Sequence, residues 1–262
     1  MKRLLTASLL VPFFLWVVLL SPQIVFLLVV AALGCVCFIE FWNIGRAHYP
    51  ASPDFSLPLP ALAAGVVFVL APDSERLLAV LFALLLMIFA LRSKQLSSAL
   101  PYSALFALGL LYVFGCWHSA ISLRNISPWW LLFATAINWV GDTFAYYAGR
   151  AFGRHKLAPR VSPAKTWEGA FASLASALGL GYLYLNHFFP QLPAGQALLL
   201  CAAGNLSGQV GDLAESAFKR GAGVKDSGTW LPGHGGWLDR VDSTLFSMPL
   251  TAWLLQQRWF IP

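Results

Sequence analysis

Five of the chain's 11 acidic side chains fall close together, at Asp212, Glu215, Asp226, Asp239 and Asp242. Among them stand Lys219, Arg220, Lys225 and Arg240, with glycines at 221, 223, 228, 233, 235 and 236. Asp239 and Asp242 are three apart, a spacing that puts both on one helical face, where they can serve a single cation. Magnesium takes oxygen ligands, often one or two carboxylates with waters and substrate phosphates completing the octahedron. Asp212 and Asp239 meet that requirement if the spans that carry them come together. Gly233, Gly235 and Gly236 have no side chains to keep an anion from the backbone N–H groups, although an ordinary turn would use glycine in the same way. His234, flanked by glycine, could be a general acid or base or a simple hydrogen-bond donor, and the donor role is favoured. Carboxylates, bases and bare backbone together suit metal-assisted phosphoryl or nucleotidyl transfer.

Three stretches upstream add polar groups in apolar surroundings. Asn138 and Asp142 lie four apart within WWLLFATAINWVGDTFAYYAGR, and an ionisable group in such a run is a functional candidate by default. Its plainer role is an ion pair with nearby Arg150. Gly141 and Gly149 would then serve close helix packing. Residues 149–169 hold Arg150, Arg154, His155, Lys156, Arg160 and Lys165. Such a patch attracts anionic lipid, but Ser162-Pro163, Lys165-Thr166 and Glu168 also look like a capped helix start whose N–H groups would draw phosphate. Finally Asn205, Gln209, Asp212 and Ser216 recur at helical spacing, giving a polar stripe that must face protein or water rather than lipid.

The elements that would position these residues are membrane helices. The 262 residues are 58% hydrophobic and 11% charged, with a mean hydropathy of +0.69. A crossing takes about 20 mostly apolar residues with every backbone polar group satisfied on the way. Nine such segments can be drawn, at about 4–20, 23–42, 57–71, 76–92, 101–121, 128–149, 167–189, 194–217 and 242–260. The third and fourth are the weakest of the nine, and an eight-span or re-entrant version stays open. The expected fold is an all-α polytopic bundle with structural helices over 1–125 and a catalytic region over 126–262. With the N-terminus inside, 14 of the 17 Lys and Arg fall on the cytoplasmic side, leaving Arg76, Arg124 and Arg258 outside. That puts the polar loops 150–166 and 218–241 in the cytoplasm, where nucleotides are found. Trp42, Trp129, Trp130, Trp253 and Trp259 near segment ends suit headgroup anchoring. The net charge of +6 then records topology rather than nucleic-acid binding. The four cysteines sit in apolar runs and suit packing better than metal. No Walker A, GxGxxG, HExxH or CxxC pattern is present.

The run Ser216-Ala-Phe-Lys219-Arg220, Lys225-Asp226 and Leu231-Pro-Gly-His234-Gly235-Gly236-Trp-Leu-Asp239-Arg240-Val-Asp242 closely resembles the defining motif of the phosphatidate cytidylyltransferases, the CDP-diacylglycerol synthases. Gly141-Asp142, Gly149-Arg150, Ser162-Pro163 and Lys165-Thr-Trp-Glu168 look like a second block of that family. Residues 1–125 match only in being hydrophobic. The resemblance implies a magnesium-dependent, dimeric membrane enzyme that joins CTP and phosphatidic acid into CDP-diacylglycerol and pyrophosphate, with a second, monovalent cation, potassium. Carried onto this chain, it implies Asp212 and Asp239 as metal carboxylates with Asp242 in support. Lys219, Arg220, Lys225, Asp226, His234 and Arg240 complete the expected catalytic set. Substrate binding is expected of Asp142, Arg150, Arg154, Ser162, Lys165, Thr166, Glu168, Ser216, Gly235 and Gly236. A cation-coupled transporter would also bury carboxylates in a bundle but does not need a basic, glycine-rich loop; another CTP-dependent lipid transferase or a lipid kinase fits the same residues.

Overall fold

Apolar runs of this length satisfy their backbone polar groups internally, and in this chain they do so as helices. The computed structural model describes residues 2–48, 59–70, 81, 84, 96–231, 233, 235–257 and 260. The helices are α1 (Lys2–Leu19), α2 (Gln23–Ala47), α3 (Leu59–Leu70), α4 (Leu96–Gly109), α5 (Cys116–Ile126), α6 (Pro128–Phe152), α7 (Trp167–Ser176), α8 (Tyr182–Phe188), α9 (Ala194–Gly221) and α10 (Leu238–Leu255). Short π-helical stretches at Leu110–Gly115 and Ala177–Gly181 join α4 to α5 and α7 to α8. Eight of the expected segments therefore carry helix. The run at 76–92, apart from Leu81 and Leu84, lies outside the described residues, and so does His234.

Among the described residues, two helices are both long and apolar enough to cross a membrane, Gln23–Ala47 and Ala99–Ile126. α3 contributes 12 described residues, and the remainder of the expected 57–71 segment lies outside the described residues. α9 has the length, at 28 residues, but its polar stripe lowers its hydropathy.

One feature departs from an all-helical reading. Lys156–Ala158 (β1) and Ser162–Thr166 (β2) pair antiparallel, with Lys156 opposite Thr166 and Ala158 opposite Ser162. Ser162-Pro163 is thus strand, not the start of a helix. The start lies four residues on: Thr166 is extended and its Oγ1 accepts the Gly169 N–H at 3.2 Å, the usual N-cap arrangement for α7.

The chain packs as two compact units. The first comprises residues 1–118 and 218–240. Its core is aromatic: Phe38 stacks on Trp42 and meets Phe106 and Phe114, while Tyr102 packs edge-on against Trp42. Trp42 is fully buried and is a core residue, not a headgroup anchor. Phe41 on α2 meets Phe218 edge-on at 6.1 Å, fastening the end of α9 to the N-terminal helices.

The second unit comprises residues 119–217 and 241–262. Trp129 stacks on Phe188 at 4.1 Å and Trp130 on Phe189 at 3.8 Å, so both tryptophans make ring contacts within the protein and Trp130 is buried. Gly141 allows α6 to approach closely, since a side chain there would meet Asn205 and Ser173. Asn138 Nδ2 donates to Ser247 Oγ at 2.8 Å, tying α6 to α10.

Candidate active site

In the second unit, one face of α6 presents Asp142, Tyr146 and Arg150 at successive four-residue steps. With Lys165 and Thr166 from β2, Gly169 and Ser173 from α7, and Gln209 and Asp212 from α9, they line a cavity of about 410 Å³. Four of the ten residues expected to bind substrate therefore share one concavity, together with a carboxylate expected to bind metal. In its lining, Lys165 Nζ lies 2.5 Å from Asp212 Oδ2, each side chain a little over a quarter exposed. A pair this accessible adds at most about 1 kcal/mol, so either partner can be exchanged for a ligand of the same charge at small cost. Arg150 Nη1 donates to Tyr146 Oη at 3.3 Å and the residue is exposed.

The polar stripe of α9 faces protein, as its spacing requires. Asn205 Nδ2 donates to Ser173 Oγ at 3.0 Å; Gln209 Nε2 donates to Asn205 Oδ1 at 2.8 Å and to the Ala170 carbonyl. Ser216 Oγ donates to Asp212 Oδ1 at 3.3 Å, which makes Ser216 a support for that carboxylate. α9 meets α10 beside Asp212: a β-carbon at Gly211 would come within 2.8 Å of the Asp242 carbonyl. Asp242 is buried, and its Oδ1 accepts the Ser243 N–H at 2.7 Å.

Glu168, Ser162 and Arg154 do not line the cavity. Glu168 instead accepts the His155 backbone N–H at 3.2 Å and pairs with His155 Nδ1 at 2.7 Å, clasping the strand pair to the first turn of α7. The family resemblance puts Glu168 among the substrate-binding residues; in this structure its carboxylate braces the strand pair.

The first unit holds the rest. Lys219 and Arg220 lie in the last turn of α9 rather than in a loop, and α10 already begins at Leu238, so the connection is residues 222–237. Lys219 Nζ and Asp239 Oδ1 are 2.6 Å apart and nearly buried, at 8% and 6% side-chain exposure. Asp239 Oδ2 accepts the N–H groups of Gly236 at 2.8 Å and Ser227 at 2.9 Å. Burial raises the cost of the Asp239 charge, but the lysine and the two N–H groups outweigh it and hold the carboxyl below the usual range. The glycine-rich backbone does approach an anion, and in this structure the anion is a carboxylate of the chain. Gly235 (φ 78°) adopts a conformation that side chains resist, and a β-carbon there would meet Asp239 Oδ2 at 2.6 Å. Arg220 Nη1 donates to the Val224 carbonyl at 3.0 Å; Lys225, Asp226 and Arg240 are exposed.

Two residues of this network carry no signal in the motif-based reading. Glu40, on α2, accepts N–H groups from Trp237 at 3.1 Å and Leu238 at 2.8 Å, and the Ser227 hydroxyl at 2.9 Å. One cue was available: Glu40 is the single charged residue between Gln23 and Gly45, and an ionisable group in an apolar span is a functional candidate. Ser227 gave no such cue, being one hydroxyl in a polar loop.

Among the described residues no three His, Cys, Asp or Glu side chains cluster as a ready-made metal cage. Asp212, lining a cavity large enough for phosphate, still fits the magnesium habit of taking one or two carboxylates and filling its remaining positions with water and substrate oxygen.

The profile described as "Cytidylyltransferase family" matches residues 1–257. The chain is similar to the phosphatidate cytidylyltransferase of Bacillus subtilis (strain 168), at 33% identity over 97% of both chains. The Haemophilus influenzae protein of the same name is 43% identical over 47% of this chain and 44% of its own length. That of Staphylococcus aureus (strain COL) is 47% identical over 49% of each.

Proposed function

This chain belongs to the cytidylyltransferase family, and from that premise we propose that it transfers CMP from CTP to phosphatidic acid, giving CDP-diacylglycerol and pyrophosphate. A phosphate oxygen of phosphatidate attacks the α-phosphorus of CTP. The new phosphorus–oxygen bond forms as the α–β anhydride bond breaks, and pyrophosphate departs with the electron pair. The attacking phosphate is already ionised near neutral pH, so no protein nucleophile or general base is required.

Two dense anions must meet, and the chain's own residues answer that repulsion. The observation that carries the reading is the Lys165–Asp212 pair in the lining of the 410 Å³ cavity. Lys165, with the exposed Arg150 of the same lining, can take a phosphate that displaces the carboxylate, and Asp212 is then available to a cation. Magnesium held by Asp212, with Asp239 and Asp242 added by the sequence resemblance, would polarise phosphate oxygens and stabilise the leaving pyrophosphate. Lys219, Arg220, Lys225 and Arg240 supply further positive charge. Potassium is proposed as a second cation.

The surrounding assembly is proposed on the same footing. The chain is an integral protein of the cytoplasmic membrane with nine spans and its N-terminus inside, so that 150–166 and 218–241 face the cytoplasm, and it works as a homodimer. The positive-inside distribution of its bases supports that orientation. To test the reaction, purified protein is incubated with radiolabelled CTP, phosphatidate and magnesium, and the lipid and aqueous products are separated. CDP-diacylglycerol and pyrophosphate should appear in equal amounts. No lipid-linked cytidylate across a range of lipids would sink the proposal.

A further inference from the structure

Helix α10 starts at Leu238, so the N–H groups of Trp237 and Leu238 belong to a helix end with no intrahelical acceptors. Such ends are usually capped by the preceding loop. Here the acceptor is Glu40, from α2, nearly 200 residues earlier in the chain. Glu40 is 1% exposed, and both its carboxylate oxygens are engaged. A buried carboxylate at a helix N-terminus is favoured by the helix dipole and by charge-assisted hydrogen bonds.

What Glu40 grips leads directly to Asp239. The Ser227 hydroxyl donates to Glu40 Oε2 and accepts the Asp239 N–H at 3.3 Å, while the Ser227 N–H donates to Asp239 Oδ2. The next residue, Gly228, and Gly236 both leave room for Glu40: a β-carbon on either would come within 2.5 Å of a Glu40 oxygen. Two glycines of the connecting segment are thus shaped around a carboxylate from a different part of the chain. Ser227, Gly236 and the start of α10 hold Asp239 between them, and Glu40 holds Ser227 and that helix start.

We propose that Glu40 is a positioning residue for the transfer reaction, fixing Ser227 and the start of α10 so that Asp239 is correctly aimed. This inference rests on the proposed cytidylyl transfer. Glu40 contacts no reacting group and acts through Asp239. Its loss should therefore lower turnover rather than substrate capture, because misplacing a catalytic group by about 1 Å can cost on the order of a hundredfold.

The experiment uses the full-length protein purified in detergent, as wild type and as Glu40→Gln, Glu40→Asp and Ser227→Ala. The kcat per folded molecule and KM for CTP and phosphatidate are measured with magnesium, alongside hydrogen exchange of the 227–238 amides. In Glu40→Gln an amide NH₂ faces an N–H donor, so kcat should fall at least about tenfold while each KM moves less than about threefold. The 227–238 amides should exchange faster, with 128–152 unchanged, and Glu40→Asp should recover part of both. Ser227→Ala should lower kcat in the same pattern and supplies the test if Glu40→Gln does not fold. The proposal is overturned if Ser227→Ala and any folded Glu40→Gln keep kcat within about threefold of wild type, or leave 227–238 exchange unchanged. If wild type makes no CDP-diacylglycerol, the reaction assignment fails, while the exchange data still decide whether Glu40 holds the loop.

Discussion

Lys165 and Lys219 both meet carboxylates but sit in different surroundings, and substitutions should separate them. Lys165–Asp212 is accessible, so Lys165→Ala should leave the thermal midpoint nearly unchanged and raise KM several-fold, on the order of 1 kcal/mol of binding, in steady-state assays. Lys219–Asp239 is nearly out of solvent. Removing one partner of such a pair strands a buried charge at a cost of about 3 kcal/mol or more, so Lys219→Met should lower the melting temperature in detergent as well as activity. Asp212→Asn should reduce kcat at least about a hundredfold at saturating magnesium with little loss of stability. Near-normal turnover in that variant would remove Asp212 from the metal site. Asp239→Asn should lose both activity and stability, because it leaves Lys219 facing an amide.

At the scale of elements, the sequence spacing was informative wherever a single helix carried the pattern. The face of α6 with Asp142 and Arg150, and the α9 stripe through Asn205, Gln209, Asp212 and Ser216, follow from periodicity alone. The strand pair did not. Its strands are three and five residues long, carry Pro163 and lack clear alternation, so Ser162-Pro163 and Lys165-Thr166 read as a helix start. The true cap, Thr166, can be checked: Thr166→Ala should cost about 1 kcal/mol in thermal unfolding and disturb a wall of the cavity. Glycines in the connecting segment were legible as unusual but not as to what they approach, since the carboxylates concerned come from outside it. Gly236→Ala would set a methyl group against Glu40 and Ser227, and turnover should fall at least about tenfold in the same assay, with overpacking costs of about 1–3 kcal/mol.

For the molecule as a whole, the division into structural residues 1–125 and catalytic residues 126–262 follows the motif, whereas packing groups 218–240 with the N-terminal helices. No local pattern in a single sequence announces a pairing between residues 40 and 227–238; it appears only once the chain has folded. The proposed topology is open to a direct check. Single cysteines placed in 150–166 and 222–237 should react with an impermeant maleimide from the cytoplasmic face alone, and labelling from the opposite face would reverse the orientation. The Glu40 contact also bears on biogenesis. As the ribosome works from the N-terminus, α2 is made and inserted long before Ser227, Trp237 and Leu238 exist, so the Glu40 carboxylate, near the inner end of its span, waits without the donors it later accepts from. Chains truncated before residue 227 would keep that unanswered carboxylate, marking them as unfinished to whatever machinery clears unstable membrane proteins.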